Sequence, residues 1–287
     1  AMAGWGHADA AGGGSGPKSP KAFFAEAKRW LLQLEKERAE DSDALGQRCW
    51  NMVVTGSPGT GKTTFARLLH RFLRAYGALS TDDFVEAAGN DLKGEHVGAA
   101  TPRVQDFFRR AQGGCLFVDE AYSLVGDDRR TDSFAKEAIR TCLTEIENNK
   151  YSVLTVFAGY ADKMGRLLRA DPGLPSRFPC RVHINNYSAE ELAHVAVRYV
   201  TQQGFALAPG VAEKLVEHVE HLLSGGDLNG GQARMAVNMT EDAIAKRGQR
   251  LFDAFEADDS EETAGEDEQK GGGGGGDGEV DPNLILA

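Results

Sequence analysis

Cysteine is scarce in this chain: four in 287 residues, at 49, 115, 142 and 180, with no C-x-x-C pair. That spacing offers neither a zinc ribbon nor a disulfide framework. Reduced thiols in an intracellular compartment are the simplest account. No apolar run approaches the ~18 residues that a membrane span needs, so no membrane is expected as a partner. The first residues lack the charged-then-apolar order of a signal peptide. Ala1 stands ahead of Met2, which leaves the native start open. A basic excess is missing too. Of 43 acidic and 32 basic residues, 12 and one (Lys270) fall in residues 253–287, leaving 31 of each in residues 1–252. The net charge of −11 therefore belongs to the tail. A neutral body offers no electrostatic footprint for nucleic acid, so a nucleic-acid partner is not expected.

What the chain does have is concentrated in one stretch, Gly56-Ser57-Pro58-Gly59-Thr60-Gly61-Lys62-Thr63-Thr64. It follows an apolar run, Trp50–Thr55, and opens a helix-patterned segment, Phe65–Tyr76. That strand–loop–helix context makes the pattern G-x-x-x-x-G-K-[ST] a phosphate cradle. Glycines let consecutive backbone N–H groups converge where a Cβ would crowd them. The helix N-terminus adds partial positive charge at the same point. Lys62 then reaches the β- and γ-phosphates of a nucleoside triphosphate, and the Thr63 hydroxyl sits on Mg2+. An ordinary Gly-Pro turn is the competing reading, and the flanking pattern speaks against it.

A second stretch, Cys115-Leu116-Phe117-Val118-Asp119-Glu120, reads as a buried strand ending in two carboxylates. Asp119 is placed to hold Mg2+ through its water shell, beside Thr63. Glu120 is placed to polarise the attacking water as general base. A strand ending in solvated acids is the bland alternative, and the upstream phosphate loop weighs against it. The pair also argues against a small kinase, which passes phosphate to a bound acceptor and not to water.

Residues 1–20, rich in Gly, Ala, Ser and Pro, are expected to be mobile. Residues 21–40 carry helical periodicity. Strand-like runs follow at Trp50–Thr55, Phe84–Ala87, Cys115–Val118, Val153–Ala158 and Arg181–Ile184, most of them separated by helical patterns. Such alternation predicts an α/β fold with a buried parallel sheet sandwiched by helices. After Tyr187 the patterns are helical only, and Ser188 with Glu191 makes a capping box. The expected divisions are a disordered lead at 1–20, a nucleotide-binding α/β domain at 21–186, a small all-α lid at 187–252, and a disordered acidic, Gly-rich tail at 253–287.

The stretch from Asn51 to Tyr187 resembles the AAA+ ATPases of the CbbX/CfxQ group, which takes in red-type Rubisco activase, the stage V sporulation protein K and EccA-like ATPases. Besides the phosphate loop, four fragments carry the likeness: Asp91–Gly98, Gly114–Tyr122, Glu145–Asn149 and Ala158–Asp162. It covers roughly residues 20–250. The resemblance implies ATP hydrolysis with ATP and Mg2+, a homo-oligomeric ring, commonly a hexamer, and remodelling of a protein client. It also implies a finger arginine acting on a neighbour's nucleotide. Ser176-Arg177-Phe178 keeps the family's pattern, so Arg177 is the candidate, although Pro175 stands where relatives often have a second arginine. Gly231-Gln232-Ala233-Arg234 matches the family's Gly-Asn-Ala-Arg with Gln for Asn, which makes Arg234 the sensor arginine of the lid. His96 and Val97 fall where the family has its central-pore loop. The polar sensor of the fourth strand falls at Thr155 or Tyr160. The segment that packs on adenine ahead of the first helix is replaced here by the Gly-Ser-Pro-rich start. The compartment implied is the cytoplasm or a plastid stroma. Two rivals stay open: a nucleotide-gated binding scaffold with little turnover, and a DNA-associated AAA+ protein. The acidic tail is either an interaction or autoinhibitory segment or a solvating one.

Overall fold

The alternation of apolar runs and helical patterns is realised in a computed structural model that describes residues 18–38, 48–93, 98–125, 133–225 and 231–265. The chain divides into two compact units, Ala1–Asn186 and Tyr187–Ala287. The first contains, in order, α1 (Pro20–Arg38), β1 (Met52–Gly56), α2 (Lys62–Ala75), β2 (Phe84–Ala88), α3 (Ala100–Arg110), β3 (Cys115–Asp119), α4 (Ser133–Asn148), β4 (Leu154–Gly159), α5 (Ala161–Ala170), α6 (Gly173–Arg177) and β5 (Cys180–Ile184).

The strands form one sheet in the order β2-β3-β4-β1-β5, every pairing parallel. Because successive strand side chains point to opposite faces, the inner strands β1, β3 and β4 each feed two cores. Met52, Val54, Phe117 and Val156 pack with Phe23, Leu31, Phe65 and Leu69 on the α1/α2 face. Val53, Leu116, Val118 and Phe157 pack with Val104, Phe108, Ile139 and Leu167 on the α3/α4/α5 face. Covering both faces is what makes a near-continuous apolar strand favourable. Fully burying one such side chain contributes about 1.5–3 kcal/mol.

Two expectations are corrected here. All five strands were expected to be buried, but only the three inner ones are buried almost throughout. The edge strands β2 and β5 alternate between inward and outward residues, because neither edge has a second neighbouring strand. The lead expected to be mobile through residue 20 gains order at its end. Lys18 N–H donates to the Arg181 carbonyl (3.0 Å), and the Lys18 carbonyl accepts from His183 N–H (2.9 Å). A residue ahead of the first helix thus docks on β5, whose outer edge offers unpaired backbone groups. Residues 1–17 lie outside the described residues.

The second unit contains α7 (Ala189–Gln202), α8 (Val211–Ser224) and α9 (Gln232–Gly265). Its core gathers Leu192, Ala196, Val219, Met235 and Ala236. The capping box opens α7: Ser188 Oγ accepts Glu191 N–H (3.2 Å) and Glu191 Oε2 accepts Ser188 N–H (2.9 Å). Helix α9 continues past residue 252, where the helical part was expected to end, and reaches Gly265. Ala and Glu, frequent in 253–265, are among the better helix formers. Residues 266–287 lie outside the described residues.

Candidate active site

The site is built where β1 ends. Gly56 closes the strand, and a Cβ there would lie 2.8 Å from both the Ile184 carbonyl and Thr60 Oγ1. Gly59 (φ 68°) and Gly61 (φ 87°) take the left-handed conformation that side-chain-bearing residues avoid. The turn is braced from within, with Thr60 Oγ1 donating to the Ser57 carbonyl at 2.9 Å. Lys62 Nζ donates to the carbonyls of Gly56 (3.1 Å) and Ser57 (2.9 Å), so the ammonium lies over the loop. Gly61 caps α2 without a side-chain hydrogen bond. The first turn of α2 carries no acidic residue, and the helix dipole adds positive character there. Thr63 is half-buried in that first turn, and Thr64 is exposed.

Asp119 and Glu120 reach the same end of the sheet. Strand β4 lies between β1 and β3, with Thr55 opposite Gly159 and Val118 opposite Phe157. Two strand spacings of ~4.8 Å place the acidic pair about 10 Å across the sheet from the phosphate loop. Asp119 Oδ1 accepts Glu120 N–H (2.9 Å). Glu120 has φ 47° and ψ 37°, the one non-glycine residue with positive φ among the described residues. Such a conformation costs about 1–3 kcal/mol and collects at functional sites. Gly89, after β2, makes room for this turn: a Cβ on it would meet the Glu120 carbonyl at 2.7 Å.

Between the loop and the acids lies an aromatic pair. The rings of Tyr122 and Tyr160 are 5.8 Å apart. Lys163 Nζ lies 4.6 Å from the Tyr122 centroid and 5.1 Å from that of Tyr160, and Lys62 Nζ is 5.8 Å from Tyr160. Burial first, then the nearby Glu120 charge, push the Tyr122 phenol up to about 12. Tyr160 and Thr155 are thereby told apart. Tyr160 stands at the site end of β4, while Thr155 is buried near the strand's start. Lys163 had no signal in the sequence, and Tyr122 appeared there only as part of a motif.

Of the two candidate arginines, Arg177 belongs to the unit that bears this site and Arg234 to the second. Arg177, at the end of α6, is tied to α4: Nε donates to the Leu143 carbonyl (3.0 Å) and lies 3.6 Å from Glu147, while an Nη donates to the Gly173 carbonyl (3.2 Å). Glu147 is itself held below the usual carboxylate range, first by its hydrogen bond from Lys150. Arg234 is exposed in the first turn of α9, in the second unit. Beside it, buried Gln232 accepts Tyr187 N–H through Oε1 (2.7 Å). The pore-loop residues His96 and Val97 lie outside the described residues. The four cysteines are unbridged, and burial raises the thiols of Cys142 to about 12 and Cys180 to about 11.

A parallel sheet whose first strand opens into a glycine-rich turn on a helix N-terminus, with paired acids ending β3, defines a P-loop nucleotide-binding protein. Within that class the chain belongs to the ATPase family associated with various cellular activities (AAA), whose profile matches residues 52–186, and the AAA lid domain matches residues 188–268. It is 31% identical to the stage V sporulation protein K of Bacillus subtilis, over 83% of this chain and 73% of that protein. It is 32% identical to the protein CbbX of Cereibacter sphaeroides, over 78% of this chain and 72% of that one. The ESX-1 secretion system protein EccA1 of Mycolicibacterium smegmatis is 32% identical over 84% of this chain but 44% of its own length, so this chain spans less than half of that relative. Among the described residues no helix is long and apolar enough to cross a membrane.

Proposed function

We propose that the chain binds ATP with Mg2+ at the end of β1 and hydrolyses it, acting as a homo-oligomeric ring that remodels a protein client. The observation that carries this reading is Glu120, held in a strained left-handed turn beside Asp119 at the sheet end that also bears the phosphate loop. The donor set suits magnesium. Thr63 and Asp119 offer hard oxygens, and Mg2+ characteristically takes one or two carboxylates and fills its remaining positions with water and phosphate. When bound, the ion neutralises charge on the β- and γ-phosphates. Residues Gly56–Thr64 turn backbone N–H groups toward the polyphosphate, and Lys62 exchanges its bonds to Gly56 and Ser57 for phosphate oxygens. Glu120 takes a proton from the attacking water. Arg177 stabilises charge on the nucleotide of a neighbouring copy, and Arg234 couples nucleotide state to the lid.

One observation favours a second reading, a nucleotide-gated scaffold with little turnover. Two guanidinium nitrogens of Arg177 are already committed within their own unit. ATPase rate measured against protein concentration, with negative-stain images of Glu120→Gln held in ATP, separates the two. Rings, and a specific activity that rises with concentration and falls on Arg177→Ala, support the first. A monomer with flat, minimal turnover supports the second. A salt-dependent affinity for DNA would instead favour a DNA-associated role.

A further inference from the structure

One cation at the open end of the sheet has no part in the chemistry above. Lys163 is exposed in the first turn of α5 and has no hydrogen-bond or ion-pair partner among the described residues. Its ammonium rests instead on two aromatic faces, 4.6 Å from the Tyr122 centroid and 5.1 Å from that of Tyr160. Both rings lie in the span between the phosphate loop and the acidic pair. Tyr160 directly follows β4, the strand between β1 and β3, and a Cβ on Gly159 would lie 2.8 Å from Tyr122 Cδ1. Lys62 Nζ lies 5.8 Å from the same Tyr160 centroid. Two ammoniums therefore approach one uncharged ring, and an anion entering beside it relieves their repulsion.

A cation on an aromatic face at an exposed position is held weakly. A phosphate oxygen offers it a charge-assisted hydrogen bond, which is stronger. The four-carbon stem of lysine lets the ammonium swing without moving the helix. A triphosphate gripped by Lys62 has to run from the loop toward Glu120, because the water readied there attacks the terminal phosphorus. That course passes the ring pair and the ammonium above it. ADP stops short, since its last phosphate is the one the loop itself holds. On the reading that the loop grips a polyphosphate, we propose that Lys163 is a specificity-determining residue that binds the γ-phosphate. It leaves the rings of Tyr122 and Tyr160 for the terminal oxygens, and so the site tells a nucleoside triphosphate from a diphosphate. No bond is made or broken at this lysine.

The test uses isothermal titration of the whole chain with Mg2+ and either adenylyl imidodiphosphate, a triphosphate that resists hydrolysis, or ADP. Lys163→Gln keeps most of the stem and removes the charge. It is expected to weaken the triphosphate analogue about tenfold and to leave ADP within about twofold of wild type. Lys163→Arg, which keeps the charge, is expected to hold the analogue within about threefold of wild type. Unchanged analogue affinity in Lys163→Gln overturns the proposal. So does an equal weakening of both nucleotides, which would mean that the lysine only supports the aromatic pair. Lys62→Ala, measured alongside, is expected to lose both ligands. A wild-type chain that binds neither would remove the phosphate-loop reading itself, and this assignment with it.

Discussion

Where the strands of the sheet begin, ordinary hydrogen bonds lace the chain together. Asn51 Oδ1 accepts Thr155 N–H (2.9 Å) across 104 residues, Cys115 N–H reaches the Asp83 carbonyl (2.9 Å), and Leu154 N–H reaches that of Gly114 (2.9 Å). Where β1, β3 and β4 end, the chain takes costlier conformations. Gly59, Gly61 and Glu120 have positive φ, Gly56 and Gly159 have no room for a side chain, and two lysines converge on one aromatic ring. One end uses its polar groups to order the protein, and the other holds them ready for a ligand. Mutations at the first should change stability without affinity, and mutations at the second should do the reverse.

The largest effect expected is at the phosphate loop. Lys62→Ala removes charge-assisted bonds of about 1.5–3 kcal/mol each. Fluorescent-ATP affinity should fall about 100-fold, with the melting temperature nearly unchanged. A wild-type affinity would break the comparison at its strongest point. At the other end, Asn51→Ala leaves the buried Thr155 N–H without its acceptor, at a cost of about 1–3 kcal/mol in denaturant unfolding. Nucleotide affinity should stay within about twofold; a large drop would mean the two ends are coupled.

The smallest effect concerns Glu137, whose carboxylate accepts Gly98 N–H (3.0 Å) and the Thr101 hydroxyl (3.2 Å), bracing α4 against the start of α3. The Gly98 bond leads in holding Glu137 below its ordinary value of 4.5. A carboxylate lowered on folding contributes stability above its unfolded value and loses it as pH falls through the folded one. Glu137→Gln should therefore melt slightly below wild type near pH 7, with the gap closing below about pH 4.5. A gap independent of pH would mean that the charge has no role there.

Much of the fold was legible because its signals are local. The five strand runs and the helical patterns between them survive in the structure, and the phosphate loop could be read because its backbone requires glycine at particular steps. What escaped depends on which strands become neighbours. That β2 and β5 are edges follows from the strand order, not from their composition. The contact between Tyr122 and Gly159 exists only because β3 and β4 are adjacent, and Lys163 joins it from the first turn of α5. Likewise the acceptor for Arg177 is the Leu143 main-chain carbonyl, which no side-chain pattern announces. The docking of Lys18 on β5 was hidden by a lead composed like a linker.

The central claim is that the open end of the sheet grips a polyphosphate and that Glu120 then readies water to cleave it. Measuring ATP affinity and turnover on one preparation of Glu120→Gln tests it most directly. The expected result is affinity within about threefold of wild type and turnover reduced at least ~100-fold. Normal turnover in that variant would contradict the account.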